Sequence, residues 1–337
     1  MKAVRVHGPD DVRLDEIDTP VAGPKDVIVR VATAGICGSD VTYVHAGGVA
    51  APTIDPFGLG HELSGTVSEV GADVTGISAG DRVIVNPMGD GNGIGNGVPE
   101  GAFAPYLLVR NATVGGAIHK IPDTMAFDRA ALAEPLSVGL HAVNRSGAKP
   151  GDKVVLFGAG PIGLGILLFL KQRGLTDIAV VDMTEQRLER ARQLGATVTI
   201  NPTNEDVEAA LGKAFGAGDV FGWPVVNANL WFEVTGAAPV LQSIVRMAPF
   251  HATMLVVAVH HEPVPVNFQM ALGKEMSIIT SMAYPDEFPD VIATLNDPAI
   301  DVAPMISHSF PLDDFMTAFA VAQDKDASAK VLVTFDD

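Results

Sequence analysis

Apolar and polar positions alternate over the first 35 residues, in KAVRVHG and again in DVIVRVATAG, with Pro20, Gly23 and Pro24 between the two runs. A period of two predicts two half-buried strands joined by a loop. HELSGTVSEV (61–70) and GDRVIVN (80–86) repeat the pattern around the turn-rich GADVTGISAGD, so the first third reads as an antiparallel, partly open barrel. Residues 87–101, PMGDGNGIGNGVPEG, predict a loop with little core of its own. Residues 125–146 carry helical periodicity, with Pro135 marking a break.

From residue 152 the rhythm changes. DKVVLFGAG reads as a buried strand and turn, and PIGLGILLFLKQRG as a helix ended by glycine. DIAVVD is a strand, TEQRLERARQLG a helix, TVTIN a strand, and a further helix falls around 204–215. LWFEVTG, ATMLVVAV and SIITSMAY supply more strands. Such alternation predicts a parallel, doubly wound sheet. The tail, with helices in EFPDVIATL and LDDFMTAFAVAQ and a strand in KVLVTF, returns to the style of the first segment. The expected organisation is α/β, with one domain formed by 1–149 and 284–337 and a second, 150–283, inserted into it.

Composition supports two domains: 337 residues, 47 % apolar and 18 % charged, suit a large core. A net charge of −18 argues against nucleic acid and against an anionic membrane surface as partners. The most apolar stretch, 154–170, is broken by glycines and Pro161, and the N-terminus lacks the apolar core of a signal peptide. The single cysteine, Cys37, excludes an intramolecular disulfide. The cytoplasm is the expected location.

Gly158, Gly160 and Gly163 form G-x-G-x-x-G between a strand and a helix that opens with Pro161 and Ile162. The glycines allow a tight turn, close approach of backbone to a pyrophosphate, and helix-on-strand packing, while the helix N-terminus attracts the phosphates. Asp182, 19 residues beyond Gly163, ends the next strand, where a carboxylate binds ribose hydroxyls and repels a 2′-phosphate. NAD is therefore expected over NADP. Arg187 stands nearby on a helix face that reads as solvated, and Thr235 follows a sheet strand at a place suited to the ribose side.

Cys37 lies in GICGSD, His61 and Glu62 in GHE, and Glu134 in AEP. Zinc accepts thiolate, imidazole and carboxylate, and a catalytic zinc keeps three protein ligands plus water or substrate. Cys37, His61 and either Glu62 or Glu134 supply that set. The series GICGSD, GHE-x-x-G-x-V-x-x-V-G, GDRV, GAFAPY, AEPL and GAGPIG resembles the medium-chain, zinc-containing alcohol dehydrogenases over essentially the whole chain, most nearly the branch of sorbitol, idonate, butanediol and threonine dehydrogenases. The resemblance implies a GroES-like barrel beside a Rossmann domain. It implies one catalytic zinc on Cys37, His61 and Glu62, with Glu134 ligating or exchanging with water. It makes Asp40 the carboxylate that orients His61, and Ser39 the hydroxyl that takes the substrate proton. The implied reaction oxidises a secondary alcohol, diol or polyol to a ketone with hydride transfer to NAD, in a homodimer or homotetramer.

The chain departs from that pattern in places. No cluster of four cysteines follows GDRV, so one zinc per chain is expected and no structural zinc. Thr42 occupies a place where many relatives end the proton relay on histidine, and His45 is the candidate relay end. Ala283 stands where polyol dehydrogenases usually carry arginine, which favours a less polar secondary alcohol or a short diol. Tyr43, Phe57, Phe103 and Tyr284 are candidate pocket residues, each also readable as core. Phe221 and Trp223 fall in an unusually apolar segment, 214–230, that packs a loop or meets another subunit, and His260 and His261 read as surface or interface residues. Two rival functions are a zinc-free quinone or enoyl reductase on the same fold and a non-catalytic NAD-binding protein. The cysteine and the GHE glutamate argue against the first, and the intact set of Cys37, Ser39, His61, Glu62 and Glu134 argues against the second.

Overall fold

Strand pairing in the computed structural model, which describes residues 1–335, sorts the chain into two compact units. One holds Met1–Glu134 together with the residues from Phe288 onward, and the other is Pro135–Glu287. These limits differ from the expected 149/150 and 283/284. The helix Ala133–Ser146 begins in the first unit but packs in the second, where Gly139 lies so close to the helix Pro161–Gln172 that an added Cβ would come 3.0 Å from Gly165. Glu287 belongs with it, because its Oε1 meets His141 Nδ1 at 2.7 Å and accepts from Asn144 Nδ2 at 3.1 Å. Pro135 falls in the helix's first turn and breaks nothing, since an N–H there has no intrahelical partner to lose.

In the first unit, Ile306–Pro311, Lys330–Thr334, Val27–Ile36, Glu62–Val70, Arg82–Val85 and Ile118–Lys120 line up in that order, and Tyr106–Val109 pairs with the start of Val27–Ile36. All these pairs are antiparallel except the first. A smaller sheet adds Asp11–Glu16, Lys2–Gly8 and Phe57–Gly58. Val29, Val31, Leu63, Val83, Val85 and Val333 fill the interior on the inward side of the alternation.

The segment 87–101 is better organised than its composition suggests. Ile94 is fully buried in the core of this unit. Asp90, in the left-handed region at φ 53°, accepts hydrogen bonds from Thr113 N (2.9 Å), Thr113 Oγ1 (2.8 Å) and Ala117 N (2.8 Å). One carboxylate thus satisfies backbone donors that a loop would otherwise leave to water.

In the second unit six parallel strands run in the order Val198–Ile200, Asp177–Val181, Lys153–Phe157, Leu230–Glu233, Thr253–Val256, Ser277–Thr280. Chain order reverses between Lys153–Phe157 and Leu230–Glu233, the switch point at which such sheets bind ligands. Trp231 is wholly buried there, stacked on Phe157 at 6.4 Å with its Nε1 donating to Ala228 O. The segment 214–230 forms an antiparallel hairpin, Ala217–Val220 with Trp223–Val226. Phe221 is exposed at its tip, and the Trp223 ring covers Gly273. No helix among the described residues is long and apolar enough to cross a membrane.

Trp231→Ala is expected to lower unfolding stability by about 3–5 kcal/mol, the usual cost of an emptied aromatic site, read from a denaturant midpoint.

Candidate functional site

Backbone pairing brings the candidate ligands together. The antiparallel register sets Gly35 opposite Glu62, so Cys37, two residues past Gly35, lies beside His61. On the other side of the same strand, Val331 pairs with Ile36, which places Lys330 at the same level. Gly35 makes room between them: a Cβ there would stand 2.2 Å from Glu62 Oε2 and 3.1 Å from Lys330 Cδ.

Cys37 adopts an extended conformation (φ −97°, ψ 156°) and caps the helix Gly38–Ala46. Its N–H donates to Asp40 Oδ2 at 2.8 Å. Asp40 is fully buried, and its Oδ1 accepts from Gly60 N at 3.2 Å and faces His61 Nδ1 at 3.6 Å. One carboxylate therefore ties the helix start to the residue before His61. Ligand atoms of Cys37, His61 and Glu62 lie within 4.8 Å of one another. Burial alone would lower the pKa of His61, but the charges of Asp40 and Cys37 outweigh it and hold the imidazole well above its ordinary 6.5.

Lys330 is the residue that reading the sequence missed. Its Nζ donates to Glu62 Oε1 at 2.6 Å and to Ile36 O at 3.1 Å, all of it buried. Burial would lower its pKa, yet Glu62, and further off Cys37 and Glu134, raise it. Glu62 Oε2 is left buried with no hydrogen-bond partner, as is His61 Nδ1. A buried carboxylate oxygen without a donor is costly unless a cation sits against it. The donor set, thiolate, imidazole and carboxylate, fits zinc. The signal in the sequence was a lysine heading the apolar run VLV in the strand KVLVT.

The remaining candidates separate. Glu134 is buried in the first turn of its helix, outside the 4.8 Å group. Ser39 lies beside Tyr43, whose pKa rises because the ring is partly buried. His45 is exposed and paired with Asp10 at 2.5 Å, on the turn before Asp11–Glu16, so the expected relay end is turned to the surface. Phe57 and Phe103 are core residues: Phe103 packs on Phe315 at 4.9 Å and against Gly60. Ala283 is exposed in the left-handed region (φ 57°), and Tyr284 is buried.

In the second unit, Gly158 (φ 103°) makes the turn after Lys153–Phe157, and a Cβ on Gly163 would stand 1.9 Å from Gly158 O. Gly160 caps the helix that starts with Pro161 and Ile162. Asp182 Oδ2 accepts from Ala159 N at 2.7 Å and Oδ1 from Thr184 N at 2.9 Å, so the acid at the second strand also shapes the glycine turn. Arg187 is half-buried: its Nε is buried without a partner, and a guanidinium nitrogen would stand 3.8 Å from a Cβ on Gly160. A guanidinium beside a glycine turn fits a pyrophosphate. Thr235 abuts Gly158 and bonds to the buried Glu233, which also accepts from Thr235 N (2.7 Å) and Gly236 N (2.9 Å). His260, expected at the surface or an interface, is mostly buried, and its Nε2 meets the remaining oxygen of Glu233 at 3.0 Å. His261 is exposed.

Comparison with known proteins agrees with this geometry. A family described as alcohol dehydrogenase GroES-like domain matches residues 23–123, and one described as zinc-binding dehydrogenase matches 161–297. Sorbitol dehydrogenase of Gallus gallus is 32 % identical over 360 residues, covering 99 % of this chain and 96 % of the relative. The human enzyme is 32 % identical over 349 residues, covering 98 % and 95 %. Among solved structures, 2R,3R-butanediol dehydrogenase from Bacillus subtilis superposes with a TM-score of 0.87 at 30 % identity over 99 % of both chains. L-idonate 5-dehydrogenase from Escherichia coli gives 0.85 at 25 %, over 99 % of this chain and 98 % of that one.

Three outcomes follow for the metal site. Elemental analysis is expected to give one zinc per chain, lost in Cys37→Ser and His61→Ala. Because the zinc-free site holds a proton on His61 more tightly than usual, zinc affinity is expected to fall with pH from an onset above 6.5, measured by chelator competition. Lys330→Met strands Glu62 Oε1 and is expected to cost the zinc-free protein roughly 3–5 kcal/mol, and less with zinc bound, in denaturant titrations.

Proposed function

The chain belongs to the zinc-dependent medium-chain alcohol dehydrogenase family, and from that premise we propose that it oxidises a secondary alcohol carrying a further hydroxyl, a diol or polyol, to the ketone with NAD as acceptor. The observation that carries this reading is the Cys37–His61–Glu62 group, half-buried at the thiol and buried at the other two, with its partnerless carboxylate oxygen. The sorbitol and butanediol dehydrogenases to which the chain is similar support the substrate class.

Bound zinc would supply a Lewis acid that acidifies the substrate hydroxyl, and NAD would take the hydride. Cys37, His61 and Glu62 would hold the metal. Asp40 would keep His61 in the tautomer that binds through its other nitrogen. Lys330 restrains one oxygen of Glu62 and leaves the other for the ion. Ser39, in the first helical turn after Cys37, is the hydroxyl we assign to accept the substrate proton. On the cofactor side, the glycine turn and Arg187 would take the pyrophosphate, and Asp182 the adenosine ribose. We infer a cytoplasmic dimer or tetramer. A reducing compartment keeps the one thiol available as a ligand, and Phe268, Leu272 and Met282 expose apolar surface around the edge strand Ser277–Thr280.

The test is NADH formation by zinc-loaded protein on a panel of polyols, vicinal diols and simple secondary alcohols. Silence across the panel overturns the reading. Activity that survives chelation in protein without stoichiometric zinc favours the zinc-free reductase instead. Asp182→Ala is expected to reduce the NAD-to-NADP ratio of kcat/KM by roughly tenfold, the equivalent of one 1.4 kcal/mol step.

A further inference from the structure

Asn96 sits in the glycine-rich segment 87–101, and its two amide atoms are both engaged. Nδ2 donates to Ile94 O at 2.9 Å, and Oδ1 lies 3.0 Å from the hydroxyl of Tyr43. With the nitrogen committed to a backbone carbonyl, the atom facing Tyr43 is the oxygen, which only accepts. Tyr43 must therefore be the donor. A phenol has one proton, and here Asn96 holds it, so toward everything else Tyr43 offers lone pairs alone.

Tyr43 lies on the helix Gly38–Ala46 that Cys37 caps, one turn beyond Ser39 and on the same helix as the buried Asp40. The segment bearing Asn96 is seated on the same backbone. Gly95 (φ 69°) approaches Gly60 so closely that a Cβ would stand 2.1 Å from Gly60 O. Gly95 N donates to Glu100 O at 2.8 Å, Ala102 N donates to Gly60 O at 2.9 Å, and Gly60 directly precedes His61. Ile94, whose carbonyl orients the amide, is buried. The position of Asn96 is thus set by the backbone that directly precedes His61.

We propose that Asn96 is a positioning residue that fixes Tyr43 as a hydrogen-bond acceptor beside the Cys37–His61–Glu62 group, so that the site selects substrates whose second hydroxyl donates to Tyr43: vicinal diols over the matching monohydric alcohols. This rests on the alcohol dehydrogenase reading above and adds the residue pair that chooses among alcohols. In Asn96→Ala the phenol regains its proton for other partners, and in Tyr43→Phe the acceptor is gone.

The experiment compares kcat/KM for 2,3-butanediol and 2-butanol in the zinc-loaded protein with NAD, for the parent, Asn96→Ala, Tyr43→Phe and the double variant, with thermal melting of each. One neutral hydrogen bond corresponds to a loss of about three- to tenfold in the diol-to-monoalcohol ratio in each single variant, expressed in KM more than in kcat. The double variant is expected to lose no more than Tyr43→Phe alone, because both substitutions remove one interaction. A ratio unchanged within about twofold in Tyr43→Phe, which leaves the loop intact, overturns the proposal. So does an additive double variant, which would mean that Asn96 acts only on the loop. If the parent oxidises neither alcohol, the alcohol dehydrogenase reading itself fails and takes this one with it. Oxidation of both with unaltered ratios removes only the role of Asn96.

Discussion

The pairing of Val27–Ile36 with Glu62–Val70 is the constraint on which the site depends. With Gly35 opposite Glu62, Cys37 and His61 arrive at one end of the sheet although 24 positions separate them. A slip of one residue would turn Glu62 to the opposite face and strand its charge in the core. The register has its own lock. Lys330, on the strand flanking the other side, reaches across the empty position of Gly35 to hold Glu62, and Asp40 binds the Cys37 and Gly60 amides together. Any side chain at position 35 would separate the pair, which accounts for a glycine within the strand.

Carboxylates repeatedly serve the backbone in this molecule. Asp40, Asp90, Asp182 and Glu233 each accept from two or more main-chain N–H groups at turns. A charged acceptor makes a stronger hydrogen bond than a neutral one, and an unpaired N–H in such a turn is costly. Part of the acidity of the chain is therefore structural. Glu233 shows how far one such group extends. Through Thr235 it abuts Gly158, and through His260 it reaches the loop after Thr253–Val256, so two strand ends and the glycine turn share one anchor.

The strand and helix rhythm was legible because it follows from burial: alternation in the first unit and βα repetition in the second each leave a periodic trace. The glycine turn and Asp182 were legible for the same reason, since their spacing is short and local. Lys330 and Asn96 were not, because each finds its partner across the fold, 268 residues from Glu62 in one case and 53 from Tyr43 in the other. His45 misled because helical proximity to Cys37 says nothing of direction, and Asp10 offered a partner at the surface. Phe57 and Phe103 were pocket candidates that read more readily as core, and both are buried in the core of the first unit, Phe103 tightly against Gly60. Arg187 looked solvated on its helix, but the turn beneath Gly160 lay outside any helical periodicity.

The segment 87–101 is pinned by Asp90 and the buried Ile94, with no thiolate among its supports, and Cys37 is the chain's sole sulfhydryl. Scaffold and ion are thereby uncoupled in this lobe. Exchanging the ion for a coloured one such as cobalt addresses a single thiolate, so its absorption reports on one coordination sphere with no second centre to subtract. A thiol-directed reagent has the same simplicity: whatever it labels, it labels at Cys37, beside His61 and Glu62.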